Sequence, residues 1–295
     1  MGFDVLGHAL NALGDRVTAT RTDERGVSIA SISGDGGVLP RKAGANTAGR
    51  AVQSLLEASG RPVGLALDID KGIPLASGLG GSAASAVAAV VAAARVLGFD
   101  ESPAALYPHA LAGETVASGA AHGDNVGPQL AGGLVLATAD RLVPMAVPES
   151  LTAVVVHPDH RVDTRSARRC LAEPFDLATV VAQTGNLALV LAGCQRSDFG
   201  LIRAGLRDVM IEPRRAALIP GFGAVQRAAL EHGALGASIS GAGPTVFAWF
   251  DGIDGTDGAG GAGGAMVEAF AGAGLSARAW VSQVAAPGAR ITDTR

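Results

Sequence analysis

Polar and β-branched residues alternate through RVTATRTDERGVSIASI, 16–32, around a turn at 23–26, and this period of two predicts a hairpin with one face toward a core. A helical pattern follows over 45–59. The run VGLALDIDKGIPL, 63–75, predicts a strand that stops at Gly72 and Pro74, after which the glycine-dense stretch PLASGLGGSAAS, 74–85, leads into an alanine-rich helix over 82–97. The apolar part of that helix, AVAAVVAAARVL, is too short to cross a bilayer and is interrupted by Arg95. Next come a predicted helix over 104–118, a polar loop AAHGDNVGP and a strand GGLVLATA, closing a first unit near residue 150.

A second alternation begins at 151. It predicts a strand LTAVVVHP, helices over 164–172, 176–210 and 221–233, and a strand GASISG that turns through GAGP into TVFAWF. The glycine-rich run 251–264 reads as a flexible loop before a helix GAMVEAFAGAG; SARAWVSQV is a last strand, and 287–295 is expected to be a frayed tail. Strands and helices interleave in both halves, so two domains are expected, 1–150 and 151–295. A chain of 295 residues suits that division, since domains run to roughly 100–200 residues.

Composition narrows the function classes. At 48% hydrophobic and 17% charged, the chain has material for a core, and a formal charge of −4 gives no electrostatic reason to expect nucleic acid or an anionic membrane as partner. Its two cysteines, Cys170 and Cys194, show neither CxxC spacing nor a Cys/His cluster, which argues against a disulfide framework or a zinc site and fits a reducing cytoplasm. The first residues lack the basic flank and long apolar region of a secretory signal.

The candidate chemistry concentrates in the glycine loop. Gly78, Gly80 and Gly81 let backbone N–H groups approach an anion, the helix beginning near Ser82 adds its positive dipole end, and Ser77, Ser82 and Ser85 offer hydroxyls to phosphate or magnesium. The GK[ST] ending of a Walker loop is absent. Glu114 lies on a small, apolar predicted helix and can join Ser82 in a magnesium site, because such sites use one or two carboxylates with phosphate and water. His122, Asp124 and Asn125 occupy a polar loop where substrate contacts often reside. Thr164 and Arg168 stand four apart at a predicted helix start, and Arg168 with Arg215 suits a substrate carboxylate. SISGAGPTVFAW, 238–249, carries more glycine and proline than a hairpin needs. Each segment also fits a plain role: a tight turn, an Asx turn, or solvated Glu and Arg side chains.

Taken together, PLASGLGGSAAS, SGAGPTVFAW and the opening GFDVLG resemble the GHMP kinase family; GETVASGAAHGDNVGP, VDTRSARR and MIEPRRAALIP, in this order, resemble its homoserine-phosphorylating branch. The resemblance spans almost the whole chain. It implies an α+β, two-domain GHMP kinase architecture with a ribosomal-protein-like N-terminal domain and a ferredoxin-like C-terminal domain. It also implies phosphorylation of the L-homoserine hydroxyl by ATP with Mg²⁺, in threonine biosynthesis, and a homodimer as a family-level expectation.

Carried over residue by residue, the phosphate loop runs through Pro74, Leu75, Ala76, Ser77, Gly78, Leu79, Gly80, Gly81, Ser82, Ala83, Ala84 and Ser85, with Ser82 and Glu114 at the metal. Asn46 falls at the adenine nucleoside, and Lys71 near the phosphates. Asp4, His122, Asn125, Thr164, Arg168, Arg215, Gly241 and Gly243 fall on the substrate side, with Glu114, Thr164 and Arg168 as the catalytic set. No aspartate base is implied. Gly81 stands where many relatives have serine. The family also carries a further strand and an SSANLGPG-like substrate loop ahead of GFDVLG, so an upstream start is expected. Two readings stay open beside this one: a GHMP kinase for another small alcohol, and a non-catalytic nucleotide or metabolite binder.

Overall fold

The computed structural model describes residues 4–119, 122–138, 140–162, 164–252 and 258–293, without the side chains of Ser118, Thr164, Arg165 and Arg168. In chain order its first unit holds β1 (Leu6–His8), β2 (Arg16–Thr22), β3 (Gly26–Ser33), α1 (Thr47–Ser59), β4 (Gly64–Asp70), α2 (Gly81–Leu97), α3 (Pro103–Ser118), α4 (Gly123–Ala131), β5 (Leu134–Ala137) and β6 (Leu142–Met145). That unit comprises the residues up to Leu75, Gly80–Pro144 and the segment from Ala286 onward; Ala76–Leu79 and Met145–Ala285 form the second.

β2 and β3 do not pair with each other as a hairpin. β4 lies between them, antiparallel to β2 and parallel to β3. The reason is burial: β4 places Leu65, Leu67 and Ile69 in the core, whereas β2 leaves alternate residues exposed, so the most apolar strand takes the middle and the more polar ones the edges. The turn joining β2 to β3 crosses the start of β4 at Gly64, where a Cβ would strike the Glu24 carbonyl. α1, α2 and α3 close over the sheet through Val52, Leu55, Val87, Val90, Leu97 and Leu106. Asn46 caps α1 and Ser102 caps α3, each side chain accepting from backbone N–H groups of the first turn.

Two expectations for this unit are corrected. The stretch HGDNVGP is helical, not a loop: burial of Val126 and Leu130 overrides its weak propensity. Pro128 cannot donate to the Asp124 carbonyl, and β1 packs there through Gly7, where a Cβ would meet that carbonyl. The C-terminal segment is not frayed over 286–291. Gly133 donates to the Ala286 carbonyl and Ala289 to the Gln129 carbonyl, both at 2.7 Å, and Ile291 packs against the core.

The second unit holds β7 (Leu151–Pro158), α5 (Thr164–Arg169), α6 (Leu177–Arg196), α7 (Phe199–Gly205), α8 (Glu212–Arg215), α9 (Phe222–Glu231), β8 (Gly236–Ile239), β9 (Val246–Asp251), α10 (Ala259–Gly272) and β10 (Ala277–Gln283). Its sheet runs β10-β7-β9-β8 with every neighbour antiparallel, the order of a ferredoxin-like β-α-β-β-α-β unit. The expected helix over 176–210 is broken at Ser197, which takes left-handed backbone at φ 52°, and Asp198 restarts it by accepting the Leu201 N–H. α6 is long and apolar enough to cross a membrane by length and composition, and its Leu177 and Val181 are exposed. α10 starts inside the glycine-rich run because Ala259, Ala262, Met266 and Phe270 form a stripe buried on the sheet; residues 253–257 lie outside the described part.

Candidate active site

β4 delivers the chain to the glycine loop, and α2 takes it up again. Gly80 sits at the N-cap of α2 with φ 67°, and no side chain caps the first turn, so its N–H groups point outward at the loop. The position is also close-packed: a Cβ there would lie 2.9 Å from Asn125 Oδ1 and 2.8 Å from Gln129 Nε2. Gln129 fixes the turn by donating to the Gly80 carbonyl at 3.1 Å. Asn125 therefore stands directly beside the loop. Ala83, Ala84 and Ser85 are buried, and the two alanines serve packing while their backbone shapes the turn.

In the first turn of α2, Ser82 Oγ donates to Glu114 Oε1 of α3 at 3.0 Å. Glu114 is buried, and desolvation pushes its pKa up to about 7; the Ser82 hydrogen bond and the Lys71 charge pull the other way, and nearby Asp124 adds to the rise. Asp124 also rises to about 7, through burial first and then through Asp4. His122 supplies the N-cap position of α4, with Nδ1 3.9 Å from Asp124 Oδ1. The first unit thus gathers Asp4, Glu114, Asp124 and Asn125 around acidic, partly desolvated ground. Such ground holds an anion only with help from a cation.

Two expected nucleotide contacts have other partners. Lys71 directs its ammonium to Asp15, the Gly81 carbonyl and Ser85. Asn46 Oδ1 accepts from Ala48 and Gly49, and its amide donates to the Pro40 carbonyl at 3.0 Å.

In the second unit, residues 76–79 pack on the turn after β8. Ser240 Oγ donates to the Gly78 carbonyl at 2.9 Å, and Thr245 N–H donates to the Ser77 carbonyl at 3.3 Å. Gly78, at φ 81°, has no room for a Cβ against the Ser240 carbonyl, and Gly241 faces Gly78 in turn. The surplus glycine of SGAGP is explained by this close backbone approach. Arg215 is buried; its Nη1 donates to the Gly241 carbonyl at 3.1 Å, while its Nε has no hydrogen-bond partner among the described residues. Gly243, at φ 82°, completes the turn. The side chains of Thr164 and Arg168 lie outside the described residues; only their helix backbone is given.

Residues 46–133 match the family described as GHMP kinases N terminal domain, and residues 190–256 match GHMP kinases C terminal. The homoserine kinase of Xanthomonas campestris pv. campestris is 55% identical over 291 residues, covering 99% of this chain and 89% of that one. The chain belongs to the homoserine kinase family. A crystal structure of the homoserine kinase from Cytophaga hutchinsonii superposes with a TM-score of 0.92 at 42% identity, covering 97% of this chain and 91% of that one. The more distant L. major mevalonate kinase, at 18% identity and a TM-score of 0.65, shares the fold.

One residue of this homoserine kinase family member, Asp15, has no place in the sequence reading. Asp124, by contrast, stands in the polar stretch HGDN that the sequence marks as a place for substrate contacts. Asp15 had no local signal at all. Its partners come from the exit of β4 and from α2, and only the fold brings them to it.

Proposed function

We propose that this homoserine kinase family member transfers the γ-phosphoryl group of ATP to the side-chain hydroxyl of L-homoserine, releasing ADP and O-phospho-L-homoserine for threonine biosynthesis. The observation that carries this reading is the Ser82–Glu114 pair at the uncapped head of α2: a hydroxyl and a buried carboxylate, 3.0 Å apart, beside a glycine turn.

That pair fits a magnesium ion. Both donors are hard oxygens, and a carboxylate held near pKa 7 by desolvation gains from a nearby divalent charge. A magnesium ion held there would neutralise nucleotide phosphate charge. The chain's own groups do the rest. Backbone N–H groups of the α2 head receive phosphate oxygens. Asp4 and Asp124, the former raising the pKa of the latter, suit the substrate ammonium, while Arg215 and Arg168 are assigned to its carboxylate. Asn125, beside Gly80, is assigned to the hydroxyl end.

In the transfer, the substrate oxygen attacks the γ-phosphorus in line and the bond from that phosphorus to the β,γ-bridging oxygen breaks. The hydroxyl proton passes to a phosphate oxygen or to water. Catalysis then rests on positioning and charge stabilisation rather than on a dedicated base. Free Cys170 and Cys194 suit a reducing cytoplasm as the compartment. A homodimer belongs to the same proposal and is read by light scattering.

The test is a panel of alcohols (L-homoserine, mevalonate, galactose, L-serine) with MgATP and ADP release as readout. Homoserine is expected to give the highest kcat/KM. A higher value for another alcohol would move the assignment within the wider family, and nucleotide binding without turnover on any of them would favour the binder.

A further inference from the structure

The first unit contains a buried ion pair that the proposed chemistry leaves unused. Lys71 follows β4 directly, and its side chain and that of Asp15 are 2% and 0% exposed. An ammonium has three donors and no acceptor. Lys71 spends them on the Asp15 carboxylate, on the Gly81 carbonyl at 2.6 Å and on Ser85 Oγ at 2.9 Å. Ser85 closes the triangle by donating to Asp15 Oδ2 at 2.7 Å. The other carboxylate oxygen, Asp15 Oδ1, accepts the N–H groups of Gly72 and Ile73, each at 3.1 Å. These bonds join three pieces of chain that are far apart in sequence: the lead into β2, the exit from β4, and the first turn of α2.

Stability alone is a poor reason for such a pair, because well-packed apolar residues of similar volume often serve as well or better than a buried ion pair. What apolar residues cannot supply is direction. Each bond here ends on a backbone group or side chain at one end of the glycine loop, and the ammonium carbonyl bond falls on Gly81, the residue before Ser82.

We propose that Asp15 and Lys71 form a positioning pair: they hold the first turn of α2 at a fixed place relative to the end of β4, so that its N–H groups and the Ser82 hydroxyl are aimed before nucleotide arrives. Lys71 acts on the phosphates through this turn and does not touch them. The phosphate charge is then met by backbone dipoles and metal. The proposal rests on the reading of the loop as a nucleotide site.

A double-mutant cycle tests it, with affinity for a non-hydrolysable MgATP analogue read by calorimetry alongside the separate KM values. Asp15→Asn, Lys71→Met and the combination are expected to weaken the analogue by about tenfold each, equal to within about twofold because the two side chains act as one unit. The homoserine KM is expected to stay within about twofold, since the lost interaction concerns the nucleotide alone. Asp15→Leu/Lys71→Met fills the space with apolar groups. It is expected to melt near the parental temperature and still bind the analogue about tenfold more weakly, which separates positioning from folding.

Weakening by Lys71→Met with parental binding in Asp15→Asn would mean direct phosphate contact and would overturn the proposal. So would parental binding in the apolar double variant. A parent that binds the analogue but does not phosphorylate homoserine removes the substrate reading while the cycle still decides this one; a parent that binds no analogue contradicts both.

Discussion

Two buried carboxylates flank the first turns of α2, and they are treated oppositely. Asp15 is met by an ammonium, a hydroxyl and two backbone N–H groups. Glu114 receives the Ser82 hydroxyl, and burial outweighs it, leaving the acid with a pKa of about 7. A carboxylate whose charge the protein has fully answered is architecture. One whose burial holds its pKa near 7 has the perturbed titration common among functional-site acids. On the proposed function, the same helix carries a brace on one side and the metal position on the other.

Removing either partner of the brace should have the largest effect. Asp15→Ala or Lys71→Ala strands a buried charge and is expected to cost about 3–5 kcal/mol of stability, measured by chemical denaturation. A loss under about 1 kcal/mol, typical of a surface pair, would break the contrast. Glu114→Gln should show the reverse profile: kcat lower by about 10²–10³-fold, the scale of losing one key electrostatic stabiliser, with a melting temperature at or above the parental one near neutral pH. A large fall in melting temperature would make Glu114 a structural acid.

Glu114 also titrates near neutral pH. The folded pKa of Glu114 lies above its ordinary 4.5, so its contribution to stability is fully present below about 4.5 and is lost as pH rises through about 7. Metal binding has the opposite slope, since only the carboxylate binds. Without metal, the stability gap between parent and Glu114→Gln should change across that window, and the magnesium needed for half-maximal rate should rise by about tenfold per pH unit below 7. A parental magnesium requirement that is flat with pH would contradict the assignment. The smallest effect concerns Asn46, another buried polar group spent on architecture: Asn46→Ala should cost about 1 kcal/mol as a lost helix cap and leave the ATP KM within about twofold. A large rise in that KM would restore Asn46 to the nucleotide.

What could be read in the sequence follows this same division. The glycine loop, the helix after it and the Ser82 and Glu114 side chains were legible because their chemistry is local: small residues where a backbone must approach, and an acid on an otherwise apolar helix. The brace was not, since Asp15 meets Lys71 and Ser85 only once β4 has entered between β2 and β3, and nothing in the alternating pattern of 16–32 announces a third strand. α4 was hidden for a related reason. Its glycines and Pro128 signal a loop, and it is helical because Val126 and Leu130 are buried by the rest of the unit. The fold of the tail onto Gln129 and Gly133 is likewise a product of the tertiary structure.

The central claim is that the head of α2, with Ser82 and Glu114, serves phosphoryl transfer to homoserine. Its most direct test is phosphorus NMR of a reaction containing this chain, MgATP and L-homoserine. A phosphomonoester signal of O-phospho-L-homoserine is expected to grow in step with ADP and to nearly disappear with Glu114→Gln. ADP and inorganic phosphate appearing without the ester, or an ester formed equally well by Glu114→Gln, would contradict it.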